Sequence, residues 1–178
     1  MSYFSHRYSQ SIKYEVLSKF NHSNLFMLPR IKKIVLNIGI KKVNFKSLLS
    51  VVTLLEVISC KKKFLTYSKT SNIFLKIRKG YPVGCSVILR NDSMNKFLNN
   101  ISLTIFSKLK ELRNLRISHK NIINIFNFSF ENILVFNDLE QKYELFQELV
   151  KLDISIVTNS TNLNELLFLL ISYRLPLK

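Results

Sequence analysis

Apolar residues recur every three or four positions in four stretches of this chain and every second position in several others, and the two periods predict helices and strands respectively. In residues 5–20, Tyr8, Ile12, Val16 and Phe20 stand four apart with Leu17 beside them, which is one helical stripe. The polar stretch Asn21 to Asn24 ends it and Pro29 blocks continuation. Ile31 to Ile40 then reads as a strand with Ile34, Leu36 and Ile38 on one face, Lys33, Val35 and Asn37 on the other, and Gly39 at its close. Ser47 is a suitable N-cap for a second helix with Leu48, Val51, Val52, Leu55 and Ile58 at helical spacing. Asn91 or Asp92 caps a third, whose stripe is Met94, Phe97, Leu98, Ile101, Ile105, Leu109 and Leu112, ending in Arg113 and Arg116. Thr161 or Asn162 caps a fourth with Leu163, Leu166, Leu167, Leu170 and Ile171 on one face, and Pro176 follows its end.

Between these helices lie further strand patterns. Phe64 to Tyr67 and Ile73 to Ile77 are short strands around a polar tip, Ser68 to Asn72, and Cys85 to Leu89 is an apolar run fit for a buried strand. Phe126, Phe128 and Phe130 alternate and lead into Ile133 to Phe136, and Leu152, Ile154 and Ile156 alternate with Asp153, Ser155 and Val157. Residues 117–127 read as a loop, and the acidic segment Asp138 to Glu148 connects the last two strands. Helices mixed with runs of strands, without βαβ alternation, predict an α+β two-layer sandwich, a mostly antiparallel sheet with helices packed on one face. A chain of 178 residues fits one domain: an N-terminal helix and connection over 1–28, and the sandwich over 29–178 with an extended hairpin tip near 66–80.

Three glycines and three prolines punctuate the whole chain, so Gly80, Pro82 and Gly84 within five residues mark a bend whose backbone matters. Lys76, Arg78 and Lys79 precede it. The segment is either an ordinary turn with solvated lysines or a structural strand carrying a basic tip, and the charge distribution favours the second. Lys plus Arg number 27 against 11 Asp plus Glu, giving +16 and a pI near 10.0. Residues 1–110 hold 20 of those cations against Glu15, Glu56 and Asp92, a net +17, while the remainder nets −1. Solvated surfaces intersperse both signs; a one-signed region of this size points to a polyanion.

Other chemistries find no machinery. No glycine-rich phosphate loop, HExxH pair or GxSxG elbow occurs. His6, His22 and His119 stand far apart, and Cys60 and Cys85 lack metal-ligand spacing, so neither a catalytic site nor a metal is indicated and both thiols read as reduced. Glu140, Glu144 and Glu148 fall four apart, either a solvated helix face or a contact for a basic protein. The apolar run Leu166 to Ile171 is far short of the roughly 20 residues of a spanning helix, and the cations do not line one amphipathic helix, so membrane insertion is not expected. Alanine and tryptophan are absent while asparagine occurs 18 times and phenylalanine 14, a bias expected where codons drift toward A and T.

The residues resemble the universal large-subunit ribosomal protein five family nearly end to end. Three stretches carry the likeness: Pro29-Arg30-Ile31-Lys32-Lys33-Ile34-Val35-Leu36-Asn37-Ile38-Gly39, Ile77 to Arg90 with its two-glycine, one-proline bend and closing Leu89-Arg90, and Leu152 to Thr158 with the closing helix and Leu175-Pro176. The resemblance implies a non-enzymatic RNA-binding protein of the central protuberance that needs no cofactor. Its implied partners are large-subunit rRNA, usually 5S rRNA, the P-site tRNA, small-subunit protein thirteen and neighbouring central-protuberance proteins. Charge and resemblance together single out Arg30, Lys32, Lys33, Asn37, Lys61, Lys62, Lys63 and Arg90 toward rRNA, with Lys69, Lys76, Arg78 and Lys79 on the tRNA-facing loop. For Lys61 to Lys63 two readings stay open, an anion site or cations that suit a helix C-terminus. Asn37 either caps a turn or points at a polar ligand.

Departures from the family pattern bear on which RNA is bound. In the family, the Asn matched by Asn37 faces 5S rRNA with a Gln and a Thr; here those positions are Lys61 and Ile88. The basic pair of the tip is Lys69 followed by Thr70, and the family's glycine-rich loop is the Asn/Ile stretch around Asn114 to Asn127. The likeness implies a member with altered 5S contacts. Alignment from the first helix leaves no room for an import leader, which with the AT bias implies a protein made inside a mitochondrion, the fallback being a plastid or an AT-rich bacterium. An organellar RNA-processing or assembly factor that binds structured RNA is the alternative function, and a membrane-surface protein a third.

Overall fold

The computed structural model describes residues 3–22, 24–40, 44–106, 124–131, 133–136, 139 and 151–177. They form a mixed α+β fold, as the pattern predicts. Its strands are β1 (Ile31–Gly39), β2 (Phe64–Tyr67), β3 (Pro82–Leu89), β4 (Ile125–Phe130) and β5 (Leu152–Thr158), in one open antiparallel sheet of order β2-β3-β1-β5-β4. Its helices are α1 (Tyr3–Arg7, a π turn Tyr8–Ile12, then Lys13–Lys19), α2 (Phe45–Ser59), α3 (Asn91–Asn100, extended by a π turn Ile101–Ile105) and α4 (Leu163–Ser172). Two compact units are present, one of Met1–Ile34, Leu89–Phe128 and Ser155–Lys178, the other of Val35–Ile88 and Ser129–Ile154.

Period-2 alternation decides which sheet face is buried. In β1, Ile34, Leu36 and Ile38 are buried while Lys33, Val35 and Asn37 are half-buried; in β5, Leu152, Ile154, Ile156 and Thr158 are buried while Asp153, Ser155 and Val157 are half-buried. Cys85, Val87 and Leu89 of β3 and Phe126, Phe128 and Phe130 of β4 supply the same buried set. Each buried Leu, Ile or Phe contributes about 1.5–3 kcal/mol relative to exposure, so the face with the polar residues is the one left available.

In the first unit, α1 packs on α3 with Phe4, Ile12 and Val16 buried, and the Phe4 ring lies 5.1 Å from that of Tyr173. Phe20 is not part of the helical stripe: the helix ends before it, and its ring meets Phe168 edge-on at 5.9 Å. Lys19 Nζ sits 4.2 Å over the same Phe168 ring. α3 buries Met94, Phe97, Leu98, Ile101 and Ile105 as its stripe predicts, but Arg90 holds the cap position and Asp92 lies in the first turn, facing the helix dipole. Leu109, Leu112, Arg113 and Arg116 lie outside the described residues. α4 turns a different face inward from the one its sequence suggests, with Leu166, Leu169, Leu170 and Tyr173 buried and Ile171 exposed. Five leucines in ten residues leave the phase undetermined; the N-terminus sets it instead. Glu165, itself buried, accepts hydrogen bonds from the Thr161 N–H at 3.1 Å and the Asn162 amide at 3.2 Å.

In the second unit, α2 starts three residues earlier than its predicted cap. Asn44 is the N-cap and Ser47 answers from the third helical position, its hydroxyl accepting the Asn44 N–H at 3.3 Å. Val51, Leu54 and Leu55 are its buried face, and Cys60 ends it in the left-handed region at φ 50°. β2 pairs with β3 through Phe64 opposite Ser86, Leu65 opposite Cys85 and Thr66 opposite Gly84, and a bulge follows at Tyr67. A Cβ on Gly84 would run into the Ile38 carbonyl oxygen and stand 3.1 Å from Thr66 Oγ1, so this position needs glycine for space. The expected strands at Ile73 to Ile77 and Ile133 to Phe136 do not form: the first is a tight turn and the second a 3-10 turn, Ile133–Val135. The predicted loop over 117–127 is cut short by β4, and its first residues, 117–123, lie outside the described residues, as does almost all of the acidic segment from Asp138 to Glu148.

Candidate RNA-binding surface

Beyond β2 and β3 the chain makes a long, narrow loop fastened twice. At its base the Ser68 N–H donates to the Tyr81 carbonyl at 2.8 Å and the Gly80 N–H to the Ser68 carbonyl at 3.0 Å; Gly80 takes φ 85°, a conformation costly for any side chain. Farther out, Asn72 and Ile77 exchange both backbone bonds, at 2.8 and 3.0 Å. Between them the Asn72 side-chain oxygen accepts the Phe74 N–H at 3.0 Å and the Leu75 N–H at 3.3 Å, an Asx turn that closes the tip in four residues. The turn leaves Ile73 90 % and Phe74 98 % exposed. Lys69, Lys76, Arg78 and Lys79 are all exposed or half-exposed along this loop. Sequence reasoning took Ile73 to Ile77 for a strand and so missed its aromatic tip; the Asn ahead of the apolar run was the available signal.

At the other end of β2, Lys61 and Lys62 are exposed, whereas Lys63 Nζ sits 2.6 Å from Glu56 Oε1 of α2. The three lysines are therefore not equivalent: one balances a helix carboxylate and two face outward. Lys63 also bears on Cys85, whose thiol burial pushes up while the lysine charge pulls it down, leaving a protonated, unreactive group.

The half-exposed sheet face of the same unit carries Asn37. The Ile40 N–H donates to the Val83 carbonyl at 2.9 Å, and counting back along that antiparallel pair sets Asn37 opposite Ser86. Asn37 is thus a mid-strand group on an open face rather than a turn cap. Ile88, on the same strand parity as Ser86, is exposed.

In the first unit, Arg30 and Arg90 are exposed. Lys32 is exposed and Lys33 half-buried on alternate sides of β1, so adjacent cations in sequence do not make one patch. Arg30 is firmly placed. Its N–H donates to Asn159 Oδ1 at 2.6 Å, its carbonyl accepts the Asn159 N–H at 3.2 Å, and Asn159 Nδ2 donates to the Leu28 carbonyl at 3.1 Å. Among the described residues no group of His, Cys, Asp and Glu is arranged to hold a metal, and no helix is long and apolar enough to cross a membrane.

Comparison with known proteins adds a separate line of evidence. Residues 82–177 match the model for the C-terminus of the ribosomal uL5 family. The chain is 31 % identical to the large ribosomal subunit protein uL5m of Reclinomonas americana over 99 % of its length and 98 % of that protein's. It is 32 % identical to uL5 of Ehrlichia chaffeensis, over 95 % of this chain and 96 % of that protein, and 32 % identical to uL5c of Oedogonium cardiacum, over 96 % and 95 %.

Proposed function

Because this chain belongs to the uL5 family of large ribosomal subunit proteins, we propose that its basic loop and open sheet face hold structured RNA of that subunit. It is a structural, non-enzymatic ribosomal protein whose partners include rRNA. The finer reading places it in the central protuberance, with Arg30, Lys32, Lys33, Asn37, Lys61, Lys62 and Arg90 toward rRNA. Lys69, Lys76, Arg78 and Lys79 reach toward the P-site tRNA, near small-subunit protein thirteen. Lys63, engaged with Glu56, contributes less than its neighbours.

One observation carries this reading: residues 57–91 hold eight Lys/Arg and no Asp or Glu, and they include a loop pinned at two levels by backbone bonds. Cations on a rigid frame supply phosphate-directed affinity and a fixed shape together, which is how folded RNA is recognised. The polar 5S-facing trio of the family is reduced to Asn37 beside Lys61 and an exposed Ile88, which supports altered 5S contacts. Similarity to mitochondrial, plastid and bacterial proteins at nearly equal identity, with the AT-driven composition, supports an organellar ribosome, the mitochondrial one first.

The test is to tag the chain in its own cell, isolate the particles it sediments with, crosslink, and sequence the RNA joined to residues 61–79. Large-subunit rRNA and tRNA in that fraction bear the reading out; recovery of free chain or of small-subunit RNA alone refutes it. 5S rRNA crosslinked at Asn37, Lys61 and Ile88 would overturn the altered-contact part only.

A further inference from the structure

A groove of about 450 Å³ opens in the first unit between α1 and the turn that leads into β1, lined by Tyr8, Lys13, Leu25, Phe26, Leu28 and Arg30. We infer that this groove is a single-nucleotide site, in which Phe26 and Tyr8 receive an unpaired RNA base while Lys13 and Arg30 hold its phosphates. The inference rests on the RNA-binding reading above and assigns a second, separate place where RNA is gripped.

Local structure builds the groove at three points. Leu25–Met27 form one 3-10 turn that thrusts Phe26 outward, 94 % exposed, with Leu25 and Met27 also exposed, while the next residues, Leu28 and Pro29, are buried. That abrupt change anchors the turn. The three bonds from Asn159 to Leu28 and Arg30 fix one wall from below, and the Tyr8 hydroxyl donates to the Pro29 carbonyl at 3.1 Å, tying α1 to the same segment. The opposite wall is the π turn Tyr8–Ile12, where the Lys13 N–H reaches back to the Tyr8 carbonyl, an i→i+5 bond that widens the helix and shifts the register of the side chains around it.

The lining chooses the ligand. It offers one aromatic face at the rim, a second ring inside, two cations and no carboxylate. Arg30 lies near enough to the Tyr8 hydroxyl for its charge to oppose the upward pull of burial on that group, so the guanidinium flanks the aromatic wall. An apolar peptide would use Leu25, Phe26 and Met27 but leave both cations idle; a nucleotide uses all of them, and its size suits the lower end of the range for ligand sites. Stacking on an aromatic ring with phosphate contacts alongside is the general mode for unpaired bases.

Two measurements test this. Native large subunits containing the chain are irradiated with short-wave ultraviolet light, digested, and nucleotide adducts mapped by mass spectrometry; an adduct on Phe26 or Tyr8 is expected. In parallel, binding to a transcript of the large-subunit rRNA from the same genome is measured for Phe26→Ala, Phe26→Tyr, Lys13→Gln and Arg30→Gln. Phe26→Ala weakens binding by about 5- to 100-fold with an unchanged salt slope, Phe26→Tyr restores it, and each cation variant lowers the slope by about 0.7–0.9. Because Phe26 is exposed, its loss leaves the fold intact, which thermal melting verifies. Wild-type binding by Phe26→Ala, with adducts confined to the hairpin, overturns the groove and leaves the ribosomal reading standing. A photocrosslinker at position 26 that traps a protein instead of RNA also overturns it. Absence of adducts anywhere together with no large-subunit association brings down the broader reading first.

Discussion

Lys63 and Lys62 are neighbours of identical chemistry, yet replacing each by glutamine should have different effects on RNA binding. For a protein that displaces counterions, each phosphate neutralised adds about 0.7–0.9 to the slope of log K against log salt. Lys62 is exposed with no carboxylate partner among the described residues, so Lys62→Gln lowers the slope by about that amount. Lys63 Nζ already lies 2.6 Å from Glu56 Oε1, so its counterion is a carboxylate, and Lys63→Gln changes the slope by less than about 0.3. Glu56→Gln frees the ammonium and raises the slope by up to about 0.9. The same arithmetic applies to Lys76, Arg78 and Lys79: three glutamines lower the slope by about 2–3, so that between about 50 and 200 mM salt the variant loses about 20- to 40-fold less affinity than the parent. Fluorescence anisotropy with labelled large-subunit rRNA over that salt range reads all of these. Equal slopes for the Lys62 and Lys63 variants would refute the pairing argument, and an unchanged slope in the triple variant would refute the role of the loop.

Stability predictions follow from the packing. Gly84→Ala forces a methyl group against the Ile38 carbonyl and costs about 1–3 kcal/mol in urea unfolding, whereas Gly39→Ala, with nothing within 4 Å of its added carbon, stays within about 0.5 kcal/mol; equal effects would show that β3 can shift to make room. Glu165→Gln keeps the shape of a buried acceptor but turns one oxygen into a donor facing the Thr161 N–H or the Asn162 amide, and lowers stability by about 1–3 kcal/mol; no loss would mean that α4 does not depend on this cap. Burial, aided by the nearby Tyr8, holds the Tyr173 hydroxyl proton well above its ordinary pKa of 10.0. Its contribution to stability is therefore complete below about pH 10 and lost as pH rises beyond it, by up to about 1.4 kcal/mol per pH unit. Tyr173→Phe should flatten that alkaline fall, leaving the smaller share from Tyr8, whose pKa burial also raises; an identical fall in the variant would assign it elsewhere.

How much of this could be read from the chain depended on whether one interaction or several set the outcome. β1 and β5 were legible because strict alternation of isoleucine and leucine with polar residues leaves one face to bury. The α4 face was not, because leucine on every side gives no phase and the deciding contacts come from Glu165 and the residues before it. Ile73 to Ile77 has the composition of a strand, yet one asparagine oxygen accepting two N–H groups folds it into a turn. In the candidate site, the cations were visible as composition, but the pairing of Lys63 and the opposite orientations of Lys32 and Lys33 depend on where α2 ends and how β1 alternates. Phe26 was hidden in a segment read as a plain connection, since nothing local says that Asn159, 131 positions from Leu28, will lock that connection in place.

Charge and exposed aromatic surface answer different questions about an RNA partner, and that makes their contributions separable. Lysines act through counterion release, so their effect shrinks as salt rises and is much the same for any folded polyanion. Phe26 and Phe74 stand almost fully exposed on backbone turns that hydrogen bonds hold still, an arrangement that costs solvation in the free protein and gains only when a flat apolar partner covers it. Stacking of that kind is nearly independent of salt and sensitive to whether an unpaired base sits at the right distance. Substitution of cations should therefore change the slope of the salt titration, and substitution of the aromatics its height. At high salt, the aromatic residues should account for most of the remaining preference for the cognate rRNA over a generic duplex.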